Sequence, residues 1–334
     1  VGSGDPLAAG SISLRLYPHA GLSAEEVVRE LRAQAALATR SGFDGVMTSE
    51  HHGGFSGYMP NPLQAAGWLL EAMPSGWAAP CPLLLPLRPA ALVAEEVAWL
   101  AARFPGRVGL GLAAGSLQDD FDIMGLTKDG LAGRFSEALA AVAGALGGTD
   151  PGLLADDAAV ARCRSNPVPM VSAAMSHAAV RRAARLGIGL LFDSLSAPER
   201  IRALADSYHE AGGDRPCVLI RRVWVGAPPR AEVDQQMDRY RGYATPGAQA
   251  HWRGEQLVAA DDAQTLADEL ADAATRSGTD ALNLRIHVPG VSPTTARDQI
   301  AAMGDVVAKL RHRWGAASGS SVPPSWPHPV NHQS

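Results

Sequence analysis

Residues 42–62 read GFDGVMTSEHHGGFSGYMPNP, and the order of residue types in this stretch decides how the rest of the chain is read. Phe43 to Thr48 has the make-up of a short buried strand. Ser49, Glu50, His51 and His52 follow at its carboxyl end. A glycine-rich loop, with Gly53, Gly54 and Gly57 around Phe55 and Tyr58, then leads to Asn61 and Pro62. Those two suit the N-cap and first position of a helix, with Gln64 at N3. Titratable side chains just beyond a strand, on a flexible loop, mark where barrel and open α/β enzymes keep their chemistry.

The same strand–loop–helix unit repeats outward from this stretch. Before it, Ile12 to Tyr17 alternates as a strand. Ser23 with Glu26 forms a capping box, and Val27, Leu31, Ala35 and Ala38 recur at helical spacing up to Gly42. After it come a helix to Pro74, a third strand over Trp77 to Leu85, and a helix from Pro89 to Phe104. A fourth strand over Arg107 to Ala113 is followed by the polar excursion SLQDDFDIMGLTKDG and a helix from Leu131 to Leu146. Val168 to Ala173 and Gly189 to Asp193 read as strands five and six, with helices opened by Ser176 and by a second capping box, Ser196 with Glu199. Cys217 to Val225 is strand seven. An insertion from Ala227 to Val258 carries an amphipathic helix near Met237 and Tyr240 and the pair His251 and Trp252. A helix over Asp262 to Arg276, a strand over Ala281 to Val288 and a helix from Ser292-Pro293 to Trp314 complete the series. Eight units in strict alternation predict a (β/α)8 barrel over residues 11–314, with insertions after strands four and seven; a doubly wound sheet is the competing arrangement. Residues 1–10 form an N-terminal extension, in which VGSGDP reads as a processing remnant. Residues 315–334 have the composition of a flexible tail.

With 334 residues, 46% hydrophobic and 19% charged, the chain can bury a large core. A net charge of −5 without a basic block points away from nucleic acid. No apolar run is long enough to span a membrane and no signal-like start is visible, so no membrane role is expected. Cys81, Cys163 and Cys217 are scattered without disulfide or metal spacing, which suits a reducing cytoplasm.

Glu50, His51 and His52 carry the strongest chemical signal. His51 reads as a general acid/base or a donor to a bound cofactor, its tautomer fixed by a neighbour. His52 reads as the structural member of the pair. Adjacent residues at a strand end point in opposite directions, so the two imidazoles chelate one ion poorly, and no metal site is expected. GLGLAAG at 109–115 lacks the spacing and the following helix of a dinucleotide fingerprint. Its small residues instead let a flat ligand approach the backbone. Met175, Ser176 and His177 open a helix whose amide-rich start suits a phosphate, although an ordinary N-cap reads the same way. Cys81-Pro82 inside a strand implies a bulge or a cis bond at a ligand face. Arg285 and His287 alternate on strand eight; they line the mouth, or Arg285 pairs with an acid such as Asp193. Phe55, Tyr58 and Trp252 suggest an aromatic-lined substrate pocket.

GFDGVMTSEHHGGFSGYMPNP, LLLPLRPAALVAEEVAWLAARFPGRVGLGLAAG, GRFSEALAAVAGAL and ALNLRIHVPGVSP together resemble blocks of the bacterial luciferase-like flavin-dependent oxidoreductases. The resemblance runs with gaps from about Leu14 to Leu310. It implies a barrel that binds FMN, or in some branches a deazaflavin coenzyme, at its C-terminal mouth. His51 matches the active-site histidine, and Cys81-Pro82 falls where members have a cis peptide under the ring. Met175 and Ser176 fall where the phosphate is held. Ala114 stands where luciferases have a phosphate-contacting arginine, and Arg162, Arg164 or His177 is expected to substitute. The implied activity is a monooxygenase reaction with dioxygen on a small organic substrate, in a pocket that excludes water. A separate flavin reductase would supply reduced flavin, because no nicotinamide fingerprint is present. Trp68, Leu69 and Trp99 on helices two and three suggest a homodimer, as in relatives. The competing readings are a deazaflavin-dependent hydride transferase on the same barrel, a metal-dependent barrel hydrolase using His51, His52 and Asp193, and a non-catalytic flavin-binding protein.

Overall fold

In the computed structural model the third strand of the barrel is broken in two, and the break lies beside the His-bearing loop. Trp77–Pro80 (β3) ends at a cis bond between Cys81 and Pro82, after which Leu83–Leu84 (β4) resumes the direction. The structure describes residues 4–55, 57–244, 249–252 and 256–318. The other strands are Ile12–Arg15 (β1), Gly45–Thr48 (β2), Leu110–Ala113 (β5), Met170–Ala173 (β6), Gly189–Phe192 (β7), Cys217–Val225 (β8), Leu257–Ala260 (β9) and Ala281–Arg285 (β10). All pair in parallel, in the order β3-β2-β1-β10-β8-β7-β6-β5-β4. A bridge from Ala78 to Val108 joins the two ends of that path. With β3 and β4 counted as one interrupted strand, this is the predicted eight-stranded barrel. The insertion after the seventh position adds β9 beside β8.

Helices alternate with the strands: Ala24–Arg40 (α1), Pro62–Ala72 (α2), Ala90–Arg103 (α3), Gln118–Ile123 (α4), Leu131–Leu146 (α5), Ala158–Arg162 (α6), His177–Arg185 (α7), Pro198–Glu210 (α8), Arg230–Tyr243 (α9), Ala263–Ser277 (α10) and Pro293–Ser318 (α11). The capping box of Ser23 and Glu26 forms as expected, and Asn61 caps α2 through Gln64. The second expected box does not form. The Ser196 hydroxyl donates to Asp193 at 2.9 Å, and α8 starts after Ala197 without a side-chain cap. A carboxylate three residues upstream competes for the hydroxyl and wins, because it also accepts the backbone N–H groups of Leu195 and Ser196 at 2.7 Å each.

Side chains alternate across the barrel wall. Met47, Trp77, Ala79, Val171, Leu191 and Val218 meet inside it, and Leu7 from the N-terminal segment joins them as a floor. Gly45 leaves room for the Trp77 ring, since a Cβ there would lie 2.2 Å from Cδ2. The outer faces of the strands pack against the helices in one larger core. Among the described residues no helix is long and apolar enough to cross a membrane. Most of the expected C-terminal tail lies outside the described residues.

Candidate active site

The loop after β2 folds back on its own strand. Met59 donates its N–H to the Ser49 carbonyl at 3.1 Å, and His51 donates to the Met59 carbonyl at 3.3 Å. Gly53 (φ +66°), Gly54 (φ +72°) and Gly57 (φ +85°) supply the left-handed backbone that this tight return needs. The return sends His51 and His52 to different partners.

His51 Nδ1 lies 2.8 Å from Asp120 Oδ2, and Asp120 Oδ1 accepts the His52 N–H at 2.8 Å. Asp120, on α4 in the excursion after the fourth barrel strand, is only 1% exposed. Burial would raise its pKa, but the bonds from His51 and from the His52 amide outweigh that and hold the carboxyl below the usual carboxylate range. An ionised acid facing Nδ1 makes that nitrogen the N–H, which leaves Nε2 as the free end of the ring. Phe55 and Tyr58 pack on His51 at ring-centre distances of 4.9 and 4.5 Å.

His52 Nε2 instead meets Glu50 Oε1 at 2.9 Å. Glu50 is buried and accepts from the Leu84 N–H at 2.6 Å and from Arg88 at 2.5 Å. Its carboxylate therefore clamps the two halves of the neighbouring region and does not face His51. Glu50 and His52 are thus bonded to each other and to the strand ends, and neither side chain is paired with His51. Asp193 is committed to its own loop, so His51, His52 and Asp193 do not converge on one ion. No group of three metal-capable side chains gathers among the described residues.

Beneath the loop, Arg15 from the end of β1 is buried. It donates to the Cys81 carbonyl at 2.8 Å, to Asn283 Oδ1 at 2.6 Å and to the Ser49 hydroxyl. The mouth above it has two unlike halves. On one side, Cys81-Pro82 adjoins the small residues Gly111, Ala113 and Ala173. Gly111 is required there, since a Cβ would lie 2.1 Å from Cys81 Sγ. Ala114 is half-buried and packs with the outer core, so its methyl does not belong to this inner strip. On the other side, Tyr17, Tyr58, Tyr240, Arg285 and His287 fill the space. Arg285 lies over the Tyr17 ring at 4.5 Å, and His287 stacks on Tyr17 at 4.8 Å. Arg285 does not pair with Asp193.

At the start of α7 the Ser176 hydroxyl accepts from the Ala179 N–H, and His177 is exposed beside it. Arg200 from α8 reaches the same turn and donates to the Met175 carbonyl at 2.8 Å. The expected substitutes Arg162 and Arg164 are elsewhere. The Arg164 backbone lies against Gly148 at the C-terminal end of α5, the opposite end of the barrel. Trp252 packs with Leu195, Met237 and Tyr240 at the rim and not on His51. Residues 245–248 and 253–255 of the insertion, and Ser56 of the glycine loop, lie outside the described residues.

Asp120, Arg15, Arg200 and Tyr17 were not singled out by sequence. The only signal for Asp120 was its place in a polar excursion among Asp119 and Asp122. Arg15 and Tyr17 fall on the inward parity of β1, a pattern that does identify them once the barrel is accepted.

Comparison with known proteins agrees with this architecture. The sequence profile described as luciferase-like monooxygenase matches residues 11–309. An uncharacterized protein of Mycobacterium tuberculosis is 32% identical over 108 residues, which spans 31% of this chain and 38% of that relative. Among solved structures, the oxygenating constituent of 3,6-diketocamphane monooxygenase from Pseudomonas putida, in complex with FMN, superposes with a TM-score of 0.70 at 17% identity, covering 90% of this chain and 99% of that one. An F420-dependent secondary alcohol dehydrogenase in complex with an F420-acetone adduct gives 0.67 at 18% identity, with 91% and 99% covered. The EDTA monooxygenase of a Chelativorans species gives 0.64 at 15% identity, with 91% and 94% covered. At these identities the structures speak for the shared barrel. The profile, running from the first strand to the last helix, places the chain in the luciferase-like monooxygenase family.

Proposed function

We propose that this protein is a flavin-dependent oxidoreductase of monooxygenase type, using reduced FMN and dioxygen on a small organic substrate. The observation that carries the reading is the His51–Asp120 pair at the barrel mouth, with Nε2 left free near a strip of small residues beside Cys81-Pro82. The residues present fit a flavin. Gly111, Ala113 and Ala173 leave a flat surface, and the start of α7 offers amide groups, the Ser176 hydroxyl, His177 and Arg200 to a phosphate. Arg200 takes the part that Ala114 cannot. When bound, reduced FMN supplies two electrons to dioxygen. His51 Nε2, the free end of the imidazole, would accept or return one proton, and Asp120 would steady the imidazolium that forms. Phe55 and Tyr58 keep water from that nitrogen.

A deazaflavin coenzyme with hydride transfer to an organic substrate is the second reading, supported by the barrel shared with an F420-dependent secondary alcohol dehydrogenase. Dimerisation through α3 belongs to the proposal: Trp99 and Leu92 are 55% and 44% exposed, whereas Leu69 is in the subunit's own core. So does dependence on a separate reductase.

The test is an absorbance titration of the purified protein with FMN and with the deazaflavin coenzyme. Saturable perturbation of the FMN spectrum is expected. Binding of neither would overturn the reading, and binding of the deazaflavin alone would select the second. Rapid NADPH oxidation by the protein alone would remove the reductase from it.

A further inference from the structure

The filled half of the mouth holds more positive charge than its surroundings neutralise. Arg15 and Arg285 are 2% and 6% exposed, and neither has a carboxylate within ion-pair distance among the described residues. The acids that border the mouth are spent elsewhere. Asp120 serves His51 and the His52 amide, Glu50 serves Arg88, His52 and Leu84, and Asp193 serves Leu195 and Ser196. Arg15 is satisfied by neutral acceptors. In Arg285, by contrast, the Nε is buried with no hydrogen-bond partner, and so is Nε2 of His287 beside it.

A guanidinium cut off from water costs several kcal/mol unless it is paired. Phenol rings offer only a partial substitute, the attraction of a cation to an aromatic face being weaker than an ion pair. The rings of Tyr17 and Tyr240 lie 4.5 and 5.5 Å from the guanidinium carbon and hold the charge in the absence of a better partner. Burial opposes the charge on Arg285 and the surrounding tyrosines offset it, so its pKa is shifted upward. His287 is held neutral by burial and by Arg285 and His19, so it offers a hydrogen bond without another charge. Tyr58, whose ring meets Tyr17 edge-on at 5.1 Å, sits next to Gly57 on the glycine turn.

Resting on the proposed flavin reading, we infer that the substrate carries an acidic group, a carboxylate or comparable oxyanion, which docks on Arg285 and His287 with its carbon skeleton among Tyr17, Tyr58 and Tyr240. The group sits across the mouth from the start of α7, so it is separate from the seat proposed for the cofactor phosphate.

The test is calorimetric titration of the full-length protein with benzoate against benzamide, and with hexanoate against hexanamide. Each pair has one shape and differs in charge. The acids are expected to bind at least about tenfold more tightly than their amides, the usual value of a charged hydrogen bond. The preference should vanish in Arg285→Met, while the FMN titration is unchanged, and survive in part in Arg285→Lys. Inorganic phosphate should compete with FMN and not with benzoate. Equal affinity of acid and amide for the wild-type protein overturns the inference, whether or not the variants fold. Loss of flavin binding in Arg285→Met, with phosphate displacing benzoate, also overturns it by assigning the arginine to the cofactor. If no flavin binds while acids still choose Arg285, the cofactor reading fails and the acid seat stands.

Discussion

Oδ2 of Asp120 stands 2.8 Å from Nδ1 of His51, across 69 residues of sequence, and its other oxygen holds the amide of His52. One carboxylate thus accepts two protons' worth of direction. Asparagine has a single acceptor oxygen, so Asp120→Asn must abandon one donor or turn the ring to its other tautomer. Turnover in an assay reconstituted with reduced flavin should fall about a hundredfold. Nitrogen-15 spectra of the labelled imidazole should show the proton moved from Nδ1 to Nε2. An unchanged tautomer would show that the acid does not orient the ring.

The same carboxyl makes stability depend on acid. Its pKa is lower folded than unfolded, so its contribution is complete above the unfolded value, about 4, and disappears as pH falls through the folded one. Urea midpoints between about pH 2 and 6 should therefore drop more steeply for the wild type than for Asp120→Asn. Parallel curves would contradict the assignment.

The sequence showed where the chemistry lies better than it showed what supports it. Glu50, His51 and His52 are contiguous, so their position at a strand end could be read from local pattern alone. Asp120 could not, because nothing local distinguishes it from Asp119 and Asp122. Only the tertiary fold turns it inward. Strand three was read as continuous from Trp77 to Leu85, and the proline signalled the interruption without giving its geometry. Ser196 illustrates a local rule defeated by a nearer acceptor, Asp193. The suggested Arg285–Asp193 pair assumed that acids and bases find each other, whereas β10 presents Arg285 to three phenols.

Arg88→Ala should lower stability by about 3–5 kcal/mol, because it strips a buried carboxylate of its charged partner and leaves Glu50 with His52 and one amide. Chemical denaturation measures this. Flavin binding by the folded fraction should persist, since Arg88 bonds Glu50 and the Pro60 carbonyl and not His51.

Gly111→Ala should cost about 1–3 kcal/mol in the same measurement, as its methyl would meet Cys81 Sγ at 2.1 Å and Cβ at 2.8 Å. A neutral result would mean that the wall between the third and fourth barrel strands yields easily.

All three thiols should be silent in the native protein. Burial pushes Cys81 up to about 11 and also raises Cys163 and Cys217. An aromatic disulfide reagent at mildly alkaline pH should therefore react only after denaturant is added. Prompt labelling would expose an opening of the barrel wall.

The excursion that carries α9 departs after β8 and comes back as β9 alongside it, with Gly226 donating to the Ala260 carbonyl at 2.8 Å. Because β9 runs parallel to β8, the excursion leaves beyond Val225 and re-enters level with Arg222, so the segment is a crossover that starts and ends on one edge of the sheet. Such a segment behaves as a cassette. It can be exchanged for another crossover of unrelated length without re-registering the barrel, although not for a short turn, because two parallel strands need a dozen or more residues to connect them. Diversification of what the enzyme accepts has a ready place to happen, and an engineer has a splice point.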